Sequence, residues 1–407
     1  MDLLEGLNNE QRKAVTSPGG PLLIVAGAGT GKTTVITRRI AYLIDKKIAT
    51  SDQILALTFT EKAAAEMEER TETLLPLGYT ELWISTFHAF CERILHENAL
   101  DIGLPNDFAL VNETEAWMLV REHLDRFELE YYKPLGSPMK FIQAMLRHFS
   151  RLKDEDITPA QYVEYADRLR LDHDAAEFRA VRRGKSKEEN AIITEASRLK
   201  ELAHAYATYE QILRENGSLD FGDLITATLK LFRERPTILE RTQNQFPYIL
   251  VDEFQDTNTA QYDLIKLLAP PQRNVTVCGD DDQSLYRFRG ASISNIFEFK
   301  KDFPDSREVL LVENYRSPQN ILDLAYRFIQ LNNPYRLEYQ LQNTDPRAGK
   351  EGETIREQID KKGKKLETVI SKKLKANTRI SVGEIAHLHF ETSADEARGV
   401  IQKILEL

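Results

Sequence analysis

Short runs of apolar residues, separated by stretches in which apolar and polar residues mix, open the chain. Three runs, at residues 22–26, 54–59 and 83–88, have the length and composition of buried β-strands. The segments after the first two, residues 34–44 and 60–67, are helix-like. Because short apolar strands that alternate with helices are typical of a parallel sheet covered on both faces, we predict an α/β fold. Its ligands should bind at the carboxyl ends of the strands.

The pattern changes between residues 92 and 216. Segments such as 115–124 and 196–205 carry apolar residues at helical spacing, and no clear strand pattern lies between them. Strand-like runs then return at residues 246–251, 275–278 and 309–312. We therefore predict that an all-helical subdomain is inserted into the parallel sheet.

Composition is that of an ordinary globular protein, with 407 residues, 42% apolar and 29% charged, which is enough for two or three domains. The net charge of -10 means that contact with nucleic acid requires a locally basic surface. Cys91 and Cys278 lie far apart within apolar segments, as expected for reduced core thiols. No apolar stretch approaches membrane-spanning length, so we expect a cytoplasmic protein without membrane contact.

A glycine-rich segment joins the first strand to the first helix, as in a phosphate-binding loop. Its glycines let backbone N–H groups turn inward around a polyphosphate, and the helix N-terminus adds a favourable dipole. Lys32 is predicted to reach the outer phosphates and the Thr33 hydroxyl to hold Mg²⁺. Ala26 stands where the G-x-x-x-x-G-K-[ST] pattern has its first glycine, and a small residue suffices there. The predicted nucleotide-binding residues of this segment are Ala26, Gly27, Ala28, Gly29, Thr30, Gly31, Lys32, Thr33 and Thr34.

Two adjacent carboxylates follow the strand that ends at residue 251. Asp252, next to the strand, can face the Mg²⁺ held by Thr33. Glu253 can orient and deprotonate an attacking water. An acidic pair after a strand is a modest signal alone, but together with the phosphate loop it predicts a site of nucleotide hydrolysis.

Polar, aromatic and basic residues are interleaved at positions 279–290. This mixture suits a segment that touches a nucleotide and unpaired bases, because stacking on Tyr or Phe tolerates any base and Arg neutralises phosphate. Asp280, Asp281 and Asp282 alternatively suggest a metal loop, although the spacing lacks the remaining Ca²⁺ ligands. The last strand-like run likewise leads to Tyr315 and Arg316.

Taken together, these segments resemble the ordered motifs of the UvrD/Rep family of superfamily 1 DNA helicases. Two strings are highly specific to that family: Asp-Glu-Phe-Gln-Asp-Thr at 252–257 and Gln-Ser-Leu-Tyr-Arg-Phe-Arg-Gly at 283–290. The other matching segments are Gln11 and residues 26–33, 58–64, 85–88, 219–224, 279–282 and 314–317.

The resemblance implies a motor with two RecA-like domains, with ATP bound in the cleft between them and single-stranded DNA across their tops. The first RecA-like P-loop NTPase domain is then expected at residues 1–91 and 217–291, and the inserted helical subdomain at 92–216. Residues 292–407 are expected to form a partial second RecA-like domain.

The same resemblance implies roles for individual residues. Gln11, whose carboxamide carries both a donor and an acceptor, recognises adenine, while Tyr315 stacks on it and Arg39 lies nearby. Gln283 senses the γ-phosphate, and Arg316 acts as an arginine finger. The implied catalytic set is Lys32, Asp252, Glu253, Gln283 and Arg316, with Thr33 and Asp252 as metal ligands. The implied DNA path is Phe59, Thr60, Thr86, His88, Tyr286, Phe288 and Arg289. For His88, a structural role as a buried histidine is the alternative.

Three departures from the family pattern matter. Glu61 stands where asparagine is common and adds negative charge beside the expected DNA path. Phe288 replaces the usual tryptophan, which keeps stacking but reduces its surface. Because no segment matches the later family motifs or the large domain inserted before them, we expect the chain to stop midway through the second motor domain.

Several basic and histidine-containing segments allow two interpretations. The basic residues at 179–187, and those at 361–365 and 372–375 within a charge-rich stretch, could contact DNA, but we favour their interpretation as solvated loops, helices or linkers. Residues 385–390 alternate like a strand with His387 and His389 on one face, a spacing that suits a metal but lacks further ligands. Residues 393–396 form a capping-box pattern that predicts a final helix.

The function implied by the resemblance is that of an ATP-dependent DNA helicase or translocase that moves 3′ to 5′. Its cofactors would be ATP and Mg²⁺, and its partners single-stranded DNA, single-strand/duplex junctions, and repair or recombination proteins. Two alternatives stay open: the motor half of a helicase–nuclease subunit, and a nucleotide-gated DNA-binding module with weak ATPase activity. With the later motifs missing, we expect the chain alone to hydrolyse ATP poorly and to unwind little.

Overall fold

The computed structural model describes residues 2–75, 82–180, 187–269, 274–284, 294–333, 336–339, 371–377 and 382–406, and the side chains outside 170–194. The chain forms two compact units. The first unit comprises residues 1–26 and 32–311, and the second unit comprises residues 27–31 and 312–407. In the part of the chain that is described, we find no helix long and apolar enough to cross a membrane.

A six-stranded parallel sheet forms the centre of the first unit. The strands are β1 (Leu22–Ala26), β2 (Ile54–Thr58), β3 (Trp83–Thr86), β6 (Tyr248–Val251), β7 (Val275–Gly279) and β8 (Arg307–Leu311). Their order across the sheet is β3-β2-β6-β7-β1-β8. Every residue of β1, β2 and β7 is buried, which is why these strands appear in the sequence as unbroken apolar runs rather than alternating ones. The predicted parallel α/β sheet is therefore confirmed.

Four helices precede, separate or follow the first three strands of the sheet. In order they are α1 (Asn9–Val15), α2 (Lys32–Asp45), α3 (Glu61–Leu74) and α4 (Phe87–Asn98). The apolar face of α2, including Val35, Ile36 and Ile40, belongs to one buried cluster with Ile24 of β1. Each such aliphatic side chain contributes about 1.5–3 kcal/mol on burial, so this packing fixes where α2 begins relative to the sheet edge.

The insert, which lies between α4 and residue 221, is helical apart from one short strand pair. Its helices are α5 (Glu113–Glu122), α6 (Ile142–Asp154), α7 (Pro159–Ala180) and α8 (Lys187–Glu215). The strand β4 (Ala109–Val111) pairs in parallel with β5 (Ser218–Asp220), which the sequence pattern did not indicate because three residues are too few to show a period. Phe149 stacks on Tyr206 and Tyr209 at the core of the insert, with ring centroids 5.2 and 5.5 Å apart.

Four further helices complete the first unit: α9 (Phe221–Glu234), α10 (Pro236–Gln245), α11 (Thr259–Leu268) and α12 (Ser294–Asp302). Both α12 and β8 thus lie in the first unit, whereas we expected a second domain to begin at residue 292. The strand β8 pairs with β1, from Leu22 opposite Arg307 to Ala26 opposite Leu311, so it completes the first sheet.

The described residues of the second unit include the glycine-rich loop, two short strands and the helices named below. Strands β9 (Glu313–Asn314) and β10 (Lys375–Ala376) pair in parallel, and α13 spans Gln319–Ile329. The final helix, Ser393–Glu406, is capped by Thr392, whose hydroxyl accepts the Asp395 N–H, one residue earlier than the predicted capping box. The predicted strand at 385–390 is wrong, because these residues have no regular structure and His387 and His389 are exposed.

Candidate functional site

The polar residues predicted to act on a triphosphate follow three neighbouring strands of the first unit. The sheet order places β7 between β6 and β1, so residues that follow these strands meet at one edge. Lys32 Nζ donates to Glu253 Oε2 at 2.6 Å and to Gln283 Oε1 at 3.3 Å. The two contacts join residues 221 and 251 positions apart in the sequence.

Lys32 is buried at the start of α2, with 9% of its side chain exposed. The pKa of Lys32 is raised: burial on its own disfavours the charged ammonium, but the Glu253 carboxylate and the more distant Asp252 outweigh that penalty. Lys32 is therefore positively charged at neutral pH.

Asp252 lies directly after β6 and is almost fully buried. Its N–H donates to the Leu57 carbonyl at 3.0 Å, and its Oδ1 accepts the Glu253 N–H at 3.0 Å. Burial raises the pKa of Asp252 to about 6, and the adjacent Glu253 carboxylate adds to the shift. A buried acid with so few donors suits a position that a cation would neutralise.

Glu253 has a left-handed backbone conformation, with φ 49° and ψ 44°. Such a conformation costs a non-glycine residue roughly 1–3 kcal/mol, and its surroundings must hold it in place. Here the main chain turns sharply between β6 and the short helix Phe254–Asp256. The turn directs the Glu253 side chain towards Lys32, and Gln255 Nε2 donates to the same Oε2 at 2.7 Å.

The glycine-rich loop, residues 27–31, lies in the second unit. Gly29 and Gly31 have φ of 73° and 87°, which only glycine adopts without strain. A Cβ on Gly29 would lie 2.7 Å from the Arg316 Cβ and from Asn314 Nδ2, and a Cβ on Gly27 would lie 2.8 Å from Leu374. The buried Thr30 hydroxyl donates to the Gly27 carbonyl at 2.8 Å and holds the loop's curvature.

Asn314 and Tyr315 also contact this loop within the second unit. The Tyr315 N–H donates to the Gly29 carbonyl at 2.9 Å, and Asn314 Nδ2 donates to the Ala28 carbonyl at 2.5 Å. Tyr315 is 42% exposed and its hydroxyl donates to Glu313 at 3.0 Å. Arg316 is exposed, and its N–H donates to Asn314 Oδ1 at 2.9 Å. Adenine stacking by Tyr315 and the finger role of Arg316 stay predictions.

Gln11 and Arg39, expected beside the base, both have structural partners. Gln11 closes the capping box of α1: its Oε1 accepts the Asn8 N–H at 3.1 Å, while its own N–H donates to Asn8 Oδ1 at 2.8 Å. The buried Arg39 donates to Thr276 Oγ1 at 3.1 Å and, through Nη1, to the carbonyls of Ala14, Val15 and Ser17. These bonds explain the burial of Arg39 without a ligand, and its predicted place near the nucleotide stays untested.

Four of the predicted DNA contacts follow β2 and β3 at the same edge of the sheet. Thr60 caps α3 by accepting the Ala63 N–H at 3.1 Å, and Thr86 caps α4 by accepting the Ala89 N–H at 3.2 Å. The Thr86 hydroxyl also donates to Glu61 Oε1 at 2.7 Å. Glu61 therefore has a local hydroxyl partner that joins the start of α3 to the start of α4. The other three predicted contacts, Tyr286, Phe288 and Arg289, lie outside the described residues.

A cleft of about 1020 Å³ opens beside these residues, within the first unit. Phe59 and His88 line it from the sheet side, and Arg147, His148 and Arg151 of α6 line it from the insert. Acidic groups, Glu113, Asp154 and Asp220, line it as well. Burial lowers the pKa of His88, with Glu61 opposing the shift, so this histidine is neutral at physiological pH.

Phe221 is a cleft residue to which we assigned no role from the sequence. It begins α9, is 54% exposed, and its ring meets that of His88 edge to face at 6.1 Å. Its segment, 219–224, matched a family motif, but an apolar residue after a helix cap looks like core. Only the exposed fraction of the Phe221 side chain, which is known from the tertiary structure, distinguishes a cleft residue from a core residue.

The remaining candidates have local explanations. Ligand atoms of Asp280, Asp281 and Asp282 lie within 4.8 Å of one another, but Asp280 accepts Gln283 Nε2 at 2.6 Å and the Asp282 N–H at 3.3 Å. Most of the basic run at 179–187 and the cluster at 361–365 lie outside the described residues. Cys91 and Cys278 are buried free thiols, as predicted.

A parallel sheet whose first strand leads through a glycine-rich loop into a Lys-Thr helix, with an acidic pair at the same edge, defines a RecA-like P-loop nucleotide-binding fold. A family model described as "UvrD/REP helicase N-terminal domain" matches residues 7–304. The chain therefore belongs to the UvrD/REP helicase family.

Two relatives show how far the similarity extends. The chain is 41% identical over 330 residues to a protein of Staphylococcus aureus (strain Mu50 / ATCC 700699) described as "ATP-dependent DNA helicase PcrA", covering 81% of this chain and 40% of the relative. A protein of Staphylococcus epidermidis (strain ATCC 12228 / FDA PCI 1200) with the same description is 41% identical over 330 residues, which is 81% of this chain and 41% of that protein. The chain thus spans about two fifths of the length of these relatives.

Proposed function

We propose that this chain carries the ATP-hydrolysing site and part of the DNA path of an ATP-dependent DNA helicase. The observation that supports this most directly is the contact of Lys32 with both Glu253 and Gln283 at the carboxyl edge of one parallel sheet. The relatives described as DNA helicases, and the cleft beside Phe59 and His88, support DNA as the polymer on which the motor acts.

In the proposed mechanism, each residue has one task. Lys32 leaves Glu253 and neutralises the outer phosphates of ATP, and Gln283 hydrogen-bonds the γ-phosphate. Glu253 then orients a water in line with that phosphate and accepts its proton. Arg316 supplies a further positive charge as the phosphoryl group transfers.

The residues present fit a magnesium ion. Thr33 supplies a hydroxyl and Asp252 a carboxylate, the hard oxygen ligands that Mg²⁺ prefers, and the raised pKa of the buried Asp252 indicates an acid that a cation would stabilise in its charged form. When bound, Mg²⁺ would neutralise charge that develops on the phosphate oxygens.

The proposed DNA path uses the cleft and the edge beside it. Phe59, His88 and Phe221 offer aromatic faces on which unpaired bases can stack, whatever their sequence. Arg147 and Arg151 on the opposite wall can neutralise the phosphate backbone. We further propose 3′ to 5′ movement, action at single-strand/duplex junctions and a role with repair proteins, as the family resemblance implies.

Single-turnover ATP hydrolysis, with and without oligo-dT, tests the proposal. We expect oligo-dT to stimulate the wild-type rate. Glu253→Gln should bind a fluorescent ATP analogue normally but hydrolyse ATP at least about 100-fold more slowly, because only the general base is lost. Lys32→Ala should lose both binding and hydrolysis, whereas Lys46→Ala, at an exposed position, should behave as wild type. Binding of oligo-dT without any stimulation would favour a nucleotide-gated binding module over a motor.

A further inference from the structure

Five residues at the sheet edge form a closed hydrogen-bond ring, which we call the Lys32 ring: Lys32, Glu253, Gln255, Asp280, which contributes both its carboxylate and its backbone N–H, and Gln283. Lys32 and Gln255 both donate to Glu253 Oε2, at 2.6 and 2.7 Å. The Asp280 N–H donates to Gln255 Oε1 at 2.9 Å. Gln283 Nε2 donates to Asp280 Oδ2 at 2.6 Å, and Lys32 closes the ring to Gln283 Oε1 at 3.3 Å.

Gln255 is a buried member of the Lys32 ring to which the proposed mechanism gives no task. It is 1% exposed, and both atoms of its carboxamide are used, one towards Glu253 after β6 and one towards Asp280 after β7. The backbone is shaped for this contact, because a Cβ on Gly279 would lie 2.7 Å from Gln255 Oε1. A side chain at position 279 would therefore displace the amide.

The hydrogen bond from Gln255 to Glu253 is most important for the position of the carboxylate when nucleotide is bound. Lys32 cannot hold Glu253 and neutralise phosphate in the same position, so ATP removes one of the two donors on Glu253 Oε2. The Gln255 amide then remains to fix the carboxylate. Among the described residues, Glu253 Oε1 has no hydrogen-bond partner, which leaves that oxygen to accept a proton from water.

We propose that Gln255 is a positioning residue that holds Glu253 for water activation and links it to the segment carrying Gln283. The inference rests on the proposed function, because it assigns Gln255 a part in ATP hydrolysis. Its consequence is that a change of phosphate contact at Gln283 is transmitted to Glu253 through one buried amide.

Two substitutions separate this role from a purely structural one. Gln255→Leu removes the hydrogen bonds of the carboxamide to Glu253, to the Asp280 N–H and, at 3.4 Å, to Asp256 Oδ2. We therefore expect the single-turnover rate to fall on the order of 10- to 100-fold while the affinity for a fluorescent ATP analogue changes less than about 2-fold. Gln255→Glu is nearly isosteric and can donate to Glu253 only when its own carboxyl is protonated. Its rate relative to wild type should therefore rise as the pH is lowered from 8 to 6.

Gln243→Leu is the matched control, because the Gln243 amide donates to the Leu267 carbonyl at 2.8 Å and touches no member of the Lys32 ring. It should keep the wild-type rate. If the Gln255→Glu rate relative to wild type does not change with pH, or Gln255→Leu keeps at least half the wild-type rate, the inference fails while the proposed function stands. If wild type hydrolyses ATP no faster than Lys32→Ala, both fail.

Discussion

At the scale of single residues, the proposed site holds acids in unfavourable surroundings. Asp252 and Asp256 both have a pKa raised to about 6, chiefly by burial and then by the charge of Glu253. The buried Asp256 Oδ1 has no hydrogen-bond partner in the described structure. Such buried acids lower the free energy of unfolding, but they place negative charge where the cation that accompanies a phosphate would bind.

Asp252→Asn should therefore stabilise the protein in the absence of nucleotide and magnesium. The folded-state pKa of about 6 lies above the unfolded value near 4, so the ionised acid destabilises the fold above pH 6 and that penalty disappears as the pH falls towards 4. We expect a gain of about 1–3 kcal/mol at pH 7.5 that vanishes near pH 4, measured by urea unfolding across that range. Asp52→Asn, at an exposed position, should give no pH-dependent difference.

The residues of the proposed site could be recognised where a motif is continuous in sequence. Lys32, Asp252, Glu253 and Gln283 were identified from their strings, and the structure brings Lys32 into contact with Glu253 and Gln283. Arg39 differs from these residues. The resemblance implies a place near the base, whereas its hydrogen bonds to the end of α1 and to β7 depend on packing that the sequence does not display.

At the scale of elements, one buried lysine connects the helical insert to the sheet domain. Lys153 of α6 is 1% exposed at its side chain and contacts Glu210 of α8 at 2.6 Å, Asp220 of β5 at 2.7 Å and Asp223 of α9 at 2.6 Å. Burial disfavours the charge on Lys153, yet the three carboxylates raise its pKa well above the usual value. Burial and the charge of Asp220 raise the pKa of Asp223, so this acid holds a proton more readily.

Removing the lysine should be far more costly than neutralising one of its acids. Lys153→Met leaves buried carboxylates without a counter-charge, and we expect a loss of about 3–5 kcal/mol in unfolding free energy. Asp223→Asn imitates the protonated acid and should cost clearly less. Chemical denaturation at pH 7 measures both. An equal loss in the two variants would contradict the assignment of the proton to Asp223.

The elements themselves were largely predictable, with errors at their ends. The unbroken apolar strands β1, β2 and β7 were recognised because both of their faces are buried. The short strand β4 was not recognised, because its three residues are too few to show a period. The false strand at 385–390 shows that alternation alone does not make a strand when no partner strand pairs with it.

At the scale of the first unit as a whole, the cleft is the main feature created by the fold. It exists because the insert folds back beside the carboxyl edge of the sheet, so that α6 faces Phe59, His88 and Phe221. The net charge of the chain is -10, and the cleft walls carry Arg147 and Arg151 together with Glu113 and Asp154. Base stacking should therefore contribute a large share of DNA affinity there.

The variant Phe221→Ala tests how much base stacking in the cleft contributes to DNA affinity. Loss of the aromatic ring on which one base stacks costs about 1–3 kcal/mol of binding free energy, so the affinity for oligo-dT should fall roughly 5- to 150-fold. Its salt dependence should stay as in wild type, since no charge is removed. Fluorescence anisotropy at several salt concentrations measures both quantities. Leu100→Ala, an equally apolar and exposed side chain outside the cleft lining, is the control. Unchanged oligo-dT affinity in Phe221→Ala would exclude the cleft as a stacking surface.

The parallel α/β fold, the phosphate-loop motif and the acidic pair could be predicted from the amino-acid sequence, because each is encoded in a continuous stretch whose local pattern has few structural solutions. Which of these stretches meet depends on the three-dimensional fold. The strand order β6-β7-β1 brings Gln255 between Glu253 and Asp280, and the folding of the insert exposes Phe221 in a cleft. Hydrogen bonds and burial depend on neighbours in space, and in the proposed site Lys32 and Gln283 are neighbours although 251 positions separate them along the chain.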